Sequence, residues 1–207
     1  MSIVARLFEV KSYVVVAWDL TAAPPEAARD GGFEMIAMAD LATSPAFTES
    51  GIPPAERPYD AATRCWIASD GGRLTAWHCL APETAPIEDW LLMRIEAGGA
   101  IWTLGTWVDP DRRGQRLAVE IRHHAAAWAR DQGYSKVFGW IRASNRNNLR
   151  SARRNGFEPV GRLFVARLGG FGLVRHGRRL RIGRWTMAHP LILPLEIDEG
   201  MATTSPP

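Results

Sequence analysis

Val108-Asp-Pro-Asp-Arg-Arg-Gly-Gln-Arg-Leu-Ala-Val-Glu-Ile121 follows an apolar, strand-like run, Ile101-Trp-Thr-Leu-Gly-Thr-Trp107, and leads into an amphipathic helical pattern. A strand, a basic glycine turn and a helix N-terminus in succession make a device for holding phosphates. The first helical N–H groups lack intrahelical acceptors, and the helix dipole places about half a positive charge there. The remaining chain is organised around this anion site.

Downstream, the helix is expected from about Arg113 to Asp131, with Leu117, Ile121, Ala125 and Trp128 on one buried stripe and Gly133 as its stop. Lys136–Arg142 reads as the next strand. A strand–helix–strand unit of this size predicts a parallel pair with a right-handed crossover. Residues 143–148 are rich in helix-capping types, and a short helix to Asn155 ends at Gly156 and Phe157.

Upstream, Thr63–Ala68 and Arg73–Leu80 flank Ser-Asp-Gly-Gly72 and form the clearest hairpin signal, because the glycines supply positive φ. Residues 3–20 and 33–38 read as strands. Residues 21–32 read as a loop or short helix between breakers, and residues 40–60 as short helices and turns. Residues 90–96 fit either a strand or a short helix. At the C-terminal side, 160–168 and 178–186 read as extended segments joined through glycines, with residues 196–207 as a frayed tail.

The turn resembles the acyl-CoA pyrophosphate loop of the GNAT N-acetyltransferase superfamily, Val-x-Pro-x-x-Arg-Gly-x-Gly-[Leu/Ile]-[Gly/Ala], through Val108, Pro110, Arg113, Gly114, Leu117 and Ala118. A second family motif, Asn-x-x-[Ser/Ala]-x-x-x-Tyr-x-x-x-Gly-Phe, is similar to the stretch holding Asn145, Gly156 and Phe157. The resemblance covers about residues 63–168. It implies an α/β (α+β) GNAT-like fold with a mixed central sheet, splayed between strands 4 and 5 and flanked by helices. Residues 1–195 are expected to form that single domain.

Two departures stand inside the motifs. Arg116 occupies the loop's second glycine position, where a Cβ could crowd a pyrophosphate and the guanidinium could add a phosphate contact. Ala152 occupies the position of the tyrosine that protonates the leaving thiolate in many such enzymes. Ser151 lies beside it, but neighbouring helical residues point about 100° apart. Asn148 takes the Ser/Ala position, where it can still serve as a helix N-cap.

The resemblance implies direct acyl transfer from acetyl-CoA or another acyl-CoA to a small-molecule or peptide amine. Cofactor contacts are expected from Trp107, Val108, Arg113, Gly114, Gln115, Arg116, Leu117, Ala118, Asn145 and Asn148. Catalytic candidates are His78, Glu96 and Ser151, the first two because their segments lead toward the expected cleft. A base with a near-neutral pKa suits amine deprotonation. The alternatives are a GNAT-fold module that binds acyl-CoA or a partner without turnover, and an acyltransferase using a long-chain donor or an acyl carrier protein.

Composition bounds these readings. The 207 residues are 46% hydrophobic and 23% charged, as in ordinary globular domains, and the net charge is only +3. Nucleic acid is therefore not an expected partner. Cys65 and Cys79 read as small apolar strand residues and not as a disulfide framework or metal site, which makes a reducing cytoplasm the default. No membrane span or leader peptide is read. Five tryptophans on strands, Trp66, Trp77, Trp90, Trp102 and Trp107, suggest core packing, with an aromatic acceptor cleft as the alternative. The run 175–184 alternates arginine with Leu180 and Ile182, fitting a half-buried terminal strand with a solvated arginine face, or a patch for an anionic partner. Extended C-terminal strands also leave a homodimer open.

Overall fold

The computed structural model describes residues 8–22, 32–43, 61–96 and 98–195. The expectations for residues 1–7, 23–31, 44–60 and 196–207, including the leader reading and the frayed tail, lie outside the described residues. The fold is mixed α+β, with a large mixed sheet and few helices, as the resemblance implied. The chain divides into two compact units.

Unit 2 comprises residues 19–86 and 95–137. Its strands are β2 (Glu34–Ala37), β3 (Arg64–Asp70), β4 (Arg73–Ala81) and β7 (Ala100–Val108), in the order β7-β4-β3-β2. Helix α1 (Met38–Thr43) directly continues β2. The hairpin turn between β3 and β4 has Gly71 and Gly72 at φ +56° and +81°, as their lack of Cβ permits. Helix α2 (Leu117–Asp131) buries Ile121, Ala125, Ala126 and Ala129. Three of the four are alanines, which allow the helix to approach the strands closely. Leu117 and Trp128, expected on the buried stripe, are only half-buried, and Trp128 meets Trp66 edge-on at 5.2 Å. Gly133, at φ +86°, ends the helix as expected.

The cysteines correct the sequence reading. Cys65 and Cys79 are indeed buried strand residues, but they stand opposite one another in the β3–β4 ladder and form a disulfide. Cross-strand register, invisible in the sequence spacing of 14, brings their Cα atoms to 4.1 Å. The inference of a reducing compartment rested on unpaired cysteines and loses that support.

Unit 1 comprises residues 1–18, 87–94 and 138–207. Its strands run in the order β11-β10-β9-β1-β8, with β1 (Phe8–Asp19), β8 (Lys136–Arg142), β9 (Glu158–Leu168), β10 (Phe171–His176) and β11 (Arg179–Arg184). The strand β5 (Thr84–Glu88) is divided between the units, as is β8 after Val137, whereas β6 (Leu91–Arg94) pairs in parallel with β12 (Leu191–Pro194) inside unit 1. The 90–96 ambiguity thus resolves as a strand. Helix α3 (Arg146–Arg154) ends at Gly156, φ +82°, and Phe157 is buried against Trp18 at 5.5 Å.

One face of the unit 1 sheet is packed. Trp90 and Trp185 stack with ring planes 1° apart, and the Arg167 guanidinium lies over Trp90 at 5.5 Å. Gly172 admits both rings, since a Cβ there would lie 2.8 Å from each. The same face carries Tyr13, whose hydroxyl donates to Glu88, and Glu88 also pairs with Lys11 at 2.8 Å. Burial, then the Glu88 bond, raises the Tyr13 pKa, so its phenol stays protonated.

The terminal strand departs from expectation. Leu180 and Ile182 are 54% and 67% exposed, so β11 does not bury its apolar side chains; Gly183, beneath Trp185, is its one half-buried residue. Alternation identified the strand but not what covers it, because coverage depends on partners remote in sequence.

Candidate active site

The end of β4 fixes where the basic turn begins. A bulge in the β3–β4 ladder, after the Ala68–Ala76 pair, leaves Thr75 out of register. Its hydroxyl donates to the Ala68 carbonyl at 3.1 Å, and its own carbonyl accepts from the Asp109 N–H at 2.9 Å. The Asp109 carboxylate is buried, accepts from the Asp111 N–H at 3.0 Å and pairs with Arg73 at 2.8 Å. Asp109 thereby caps the single 3-10 turn Pro110–Arg112, with proline at the first position where its missing N–H costs nothing. Arg112 is tied to Asp70. The turn is braced at both flanks by charge pairs to the hairpin.

The next residues open toward solvent. Helix α2 begins at Leu117, four residues later than expected, because Gly114 and Arg116 both take positive φ, +82° and +64°. Arg116 is the one non-glycine residue with positive φ among the described residues, and it is the N-cap of α2. A Cβ at position 116 therefore has not moved the backbone out of a glycine-like conformation. The Arg116 carbonyl accepts from Val119 and Glu120 N–H, at 2.8 and 3.1 Å. Among the described residues, the N–H groups of Gly114, Gln115, Arg116, Leu117 and Ala118 have no acceptor. That of Arg113 is engaged by the Pro110 carbonyl at 3.3 Å, which shortens the expected cradle from 113–118 to 114–118. Arg113, Gly114, Gln115 and Arg116 are exposed. Five unsatisfied donors at a helix start, flanked by two exposed arginines, make a site chemically suited to a polyanion.

His78 lies on β4, opposite Thr106 of β7. It is buried, and its Nδ1 lies 2.8 Å from the Thr106 hydroxyl on β7. Burial, then the nearby Arg122 guanidinium, lowers its pKa to about 3. This corrects the expectation of a base poised near neutrality: the sequence placed His78 between Trp77 and Cys79 but could not reveal a cation opposite it. Arg122 is on α2, its Nε donating to the Ala118 carbonyl at 2.6 Å, and burial lowers its pKa too. Sequence reasoning missed Arg122, Thr106 and the Asp109–Arg73 pair. An Asp before a proline is a cap signal that points to Asp109, whereas nothing local marks Arg122.

The other candidates are separately placed. Trp107 and Val108 end β7, opposite Trp77 and Ala76, and Trp107 is half-buried. Glu96 is exposed in the connector between β6 and β7, with no described contact to His78 or to the loop. Asn145, Asn148 and Ser151 belong to unit 1. The Asn145 side chain accepts from the Asn148 N–H at 3.0 Å and caps α3. Asn148 is thus the capped residue and not the N-cap expected. Asn155 donates to the Ser151 carbonyl at 2.7 Å and reaches its hydroxyl at 3.4 Å, and Ala152 is buried. Trp66, Trp77, Trp90 and Trp102 are all buried, which assigns them to packing and leaves Trp107 as the half-exposed member. No cluster of three potential metal-ligating side chains occurs among the described residues.

Comparison with known proteins bears on the fold and the family. No curated protein matches the sequence. An acetyltransferase assigned to the GNAT family from Novosphingobium aromaticivorans DSM 12444 is similar in structure, with a TM-score of 0.56 at 19% identity, over 77% of this chain and 64% of that one. A GCN5-related N-acetyltransferase from Sphaerobacter thermophilus gives 0.50 at 18%, over 80% of this chain and 55% of that one. The chain thus spans little more than half to two thirds of the length of these structures, and at such identity they bear on fold alone. The family model described as "Acetyltransferase (GNAT) family" matches residues 33–157, more than half of the sequence and the whole of the braced loop. The chain belongs to the GNAT acetyltransferase family.

Proposed function

We propose that this protein transfers an acetyl or other acyl group from acyl-CoA to an amine of a small molecule or peptide, directly and within a ternary complex. The observation that carries the proposal is the run of five acceptorless N–H groups, Gly114–Ala118, at the start of a 15-residue helix. That run suits the CoA pyrophosphate, with Arg113 and Arg116 adding charge. Acyl-CoA supplies an activated thioester. The chain's part is to hold the donor at the loop, to polarise the acyl carbonyl with backbone near Trp107 and Val108, and to accept the amine proton.

His78 suits a neutral role, fixing Thr106 on the strand that leads to the loop. Glu96, exposed, is the carboxylate to test as base. A second reading, binding of acyl-CoA without turnover, is favoured by one observation: buried Ala152 stands where many relatives carry the acid tyrosine. Thermal-shift measurement with acetyl-CoA and longer acyl-CoAs tests the loop, and thiol release with an amine panel tests turnover. A rise in Tm with thiol release supports the enzyme; a rise without release on any amine supports the binding module. No shift with any acyl-CoA overturns both.

A further inference from the structure

Over β10, β11, the later part of β9 and the start of β1, the face opposite the packed one is covered by nothing described. In-register pairing places Val10, Ala166, Leu173 and Ile182 in one row across four strands. The adjoining rows join Leu168, Phe171 and Arg184, and Phe164, Arg175 and Leu180. Every one of these side chains is exposed or half-exposed, while their strand neighbours on the other face are mostly buried. Large exposed hydrophobics here are Val10, Phe164, Leu168, Phe171, Leu180 and Ile182. A contiguous apolar area of this breadth is uncommon on a protein surface that meets only water.

The charged side chains in the rows of this face are all arginines. Residues 159–195 contain seven arginines and no aspartate or glutamate, although the chain's net charge is +3. The other 18 basic and 22 acidic residues leave the remainder at −4. Arg162, Arg175 and Arg184 share the apolar face, and the Arg184 guanidinium lies over the Phe171 ring at 4.7 Å.

We propose that this face docks on an anionic lipid bilayer surface, with the aliphatic and aromatic side chains entering the headgroup boundary and the arginines meeting lipid phosphates. Arginine stems lie along apolar surface while their guanidinium groups reach anions, which suits that boundary. A second copy of the chain is disfavoured because it would press two arginine-bearing, carboxylate-free faces together. Nucleic acid is disfavoured because aliphatic Val10, Leu168, Leu180 and Ile182, which bases do not stack on, outnumber the two exposed rings, Phe164 and Phe171. The proposal is independent of acyl transfer.

Co-sedimentation of the full chain with vesicles of phosphatidylglycerol and phosphatidylcholine tests it, against phosphatidylcholine alone. Binding is expected only to the anionic vesicles, weakened by 0.5 M salt, and reduced about tenfold in the Leu180→Glu/Ile182→Glu double variant. Both positions are solvated, so the variant should keep the wild-type Tm and circular dichroism; Arg175→Ser/Arg184→Ser gives an independent second variant. Failure to sediment with anionic vesicles overturns the proposal. So does undiminished binding by both double variants, or binding to single-stranded DNA with none to vesicles.

Discussion

Arg116 holds a backbone conformation that costs an L-residue roughly 1 kcal/mol and costs glycine little. Arg116→Gly is therefore expected to raise stability by up to about 1 kcal/mol, read from denaturant unfolding. If the loop holds CoA, the same variant should also change acyl-CoA affinity, read by calorimetry. A stability gain with unchanged affinity would show that the guanidinium does not reach the ligand. His78 gives a pH prediction. Its folded pKa of about 3 lies below the unfolded value near 6.5, so the unfolded chain binds the extra proton between those pH values. The stability it contributes is complete above pH 6.5 and is lost as pH falls toward 3, at up to about 1.4 kcal/mol per pH unit. His78→Asn should flatten that part of the stability–pH curve; an unchanged slope would assign it elsewhere. At this scale the motif positions were legible, but the conformation of Arg116 and the environment of His78 were not. Both depend on partners, such as Arg122, that no local spacing exposes.

Elements were legible where a terminator or turn residue spoke locally. Gly133 and Gly156 stopped the two longer helices, and Gly71-Gly72 set the hairpin. The start of α2 was misplaced because the periodicity of residues 113–116 is overridden by two left-handed residues. Asn148 was misread as a cap because three asparagines, Asn145, Asn147 and Asn148, fall within four positions, and only geometry shows that Asn145 takes the role. β10 was not separated from its neighbours for a similar reason: glycines mark its ends, and its second residue, Gly172, extends the glycine run at 169–170. Gly172 is instead a packing requirement under Trp90 and Trp185. Gly172→Ala is expected to destabilise by about 1–3 kcal/mol through overpacking, measured as a lowered denaturation midpoint. A neutral result would mean the indole pair shifts without cost.

For the whole molecule, composition gave the globular class and two motifs gave the family, yet neither register nor coverage was available from them. The Cys65–Cys79 bond is a case of register. Non-reducing thiol titration of the denatured chain should find no free thiol, and reduction should lower stability by about 2–3 kcal/mol, given a closed loop of about 15 residues. Two free thiols in freshly prepared protein would return the pair to the role of small apolar core residues. The bare sheet face is a case of coverage: alternation of arginine and aliphatic residues said strand, and stopped there.

The position of β1 has a consequence for how the chain reaches this state. Residues 8–19 are not an edge of the unit 1 sheet but lie between β9 and β8. The ladder that joins Phe8 to Leu168 and Val16 to Pro159 closes over almost the whole intervening sequence. Such a pairing has a high contact order and a large loop-closure entropy, whereas the β3–β4 hairpin of unit 2 needs only local closure. During synthesis the first described strand leaves the ribosome long before its partner exists. Until then it is an apolar segment, Tyr13-Val-Val-Val-Ala-Trp18, waiting unpaired, and trimming it would remove the middle of a sheet.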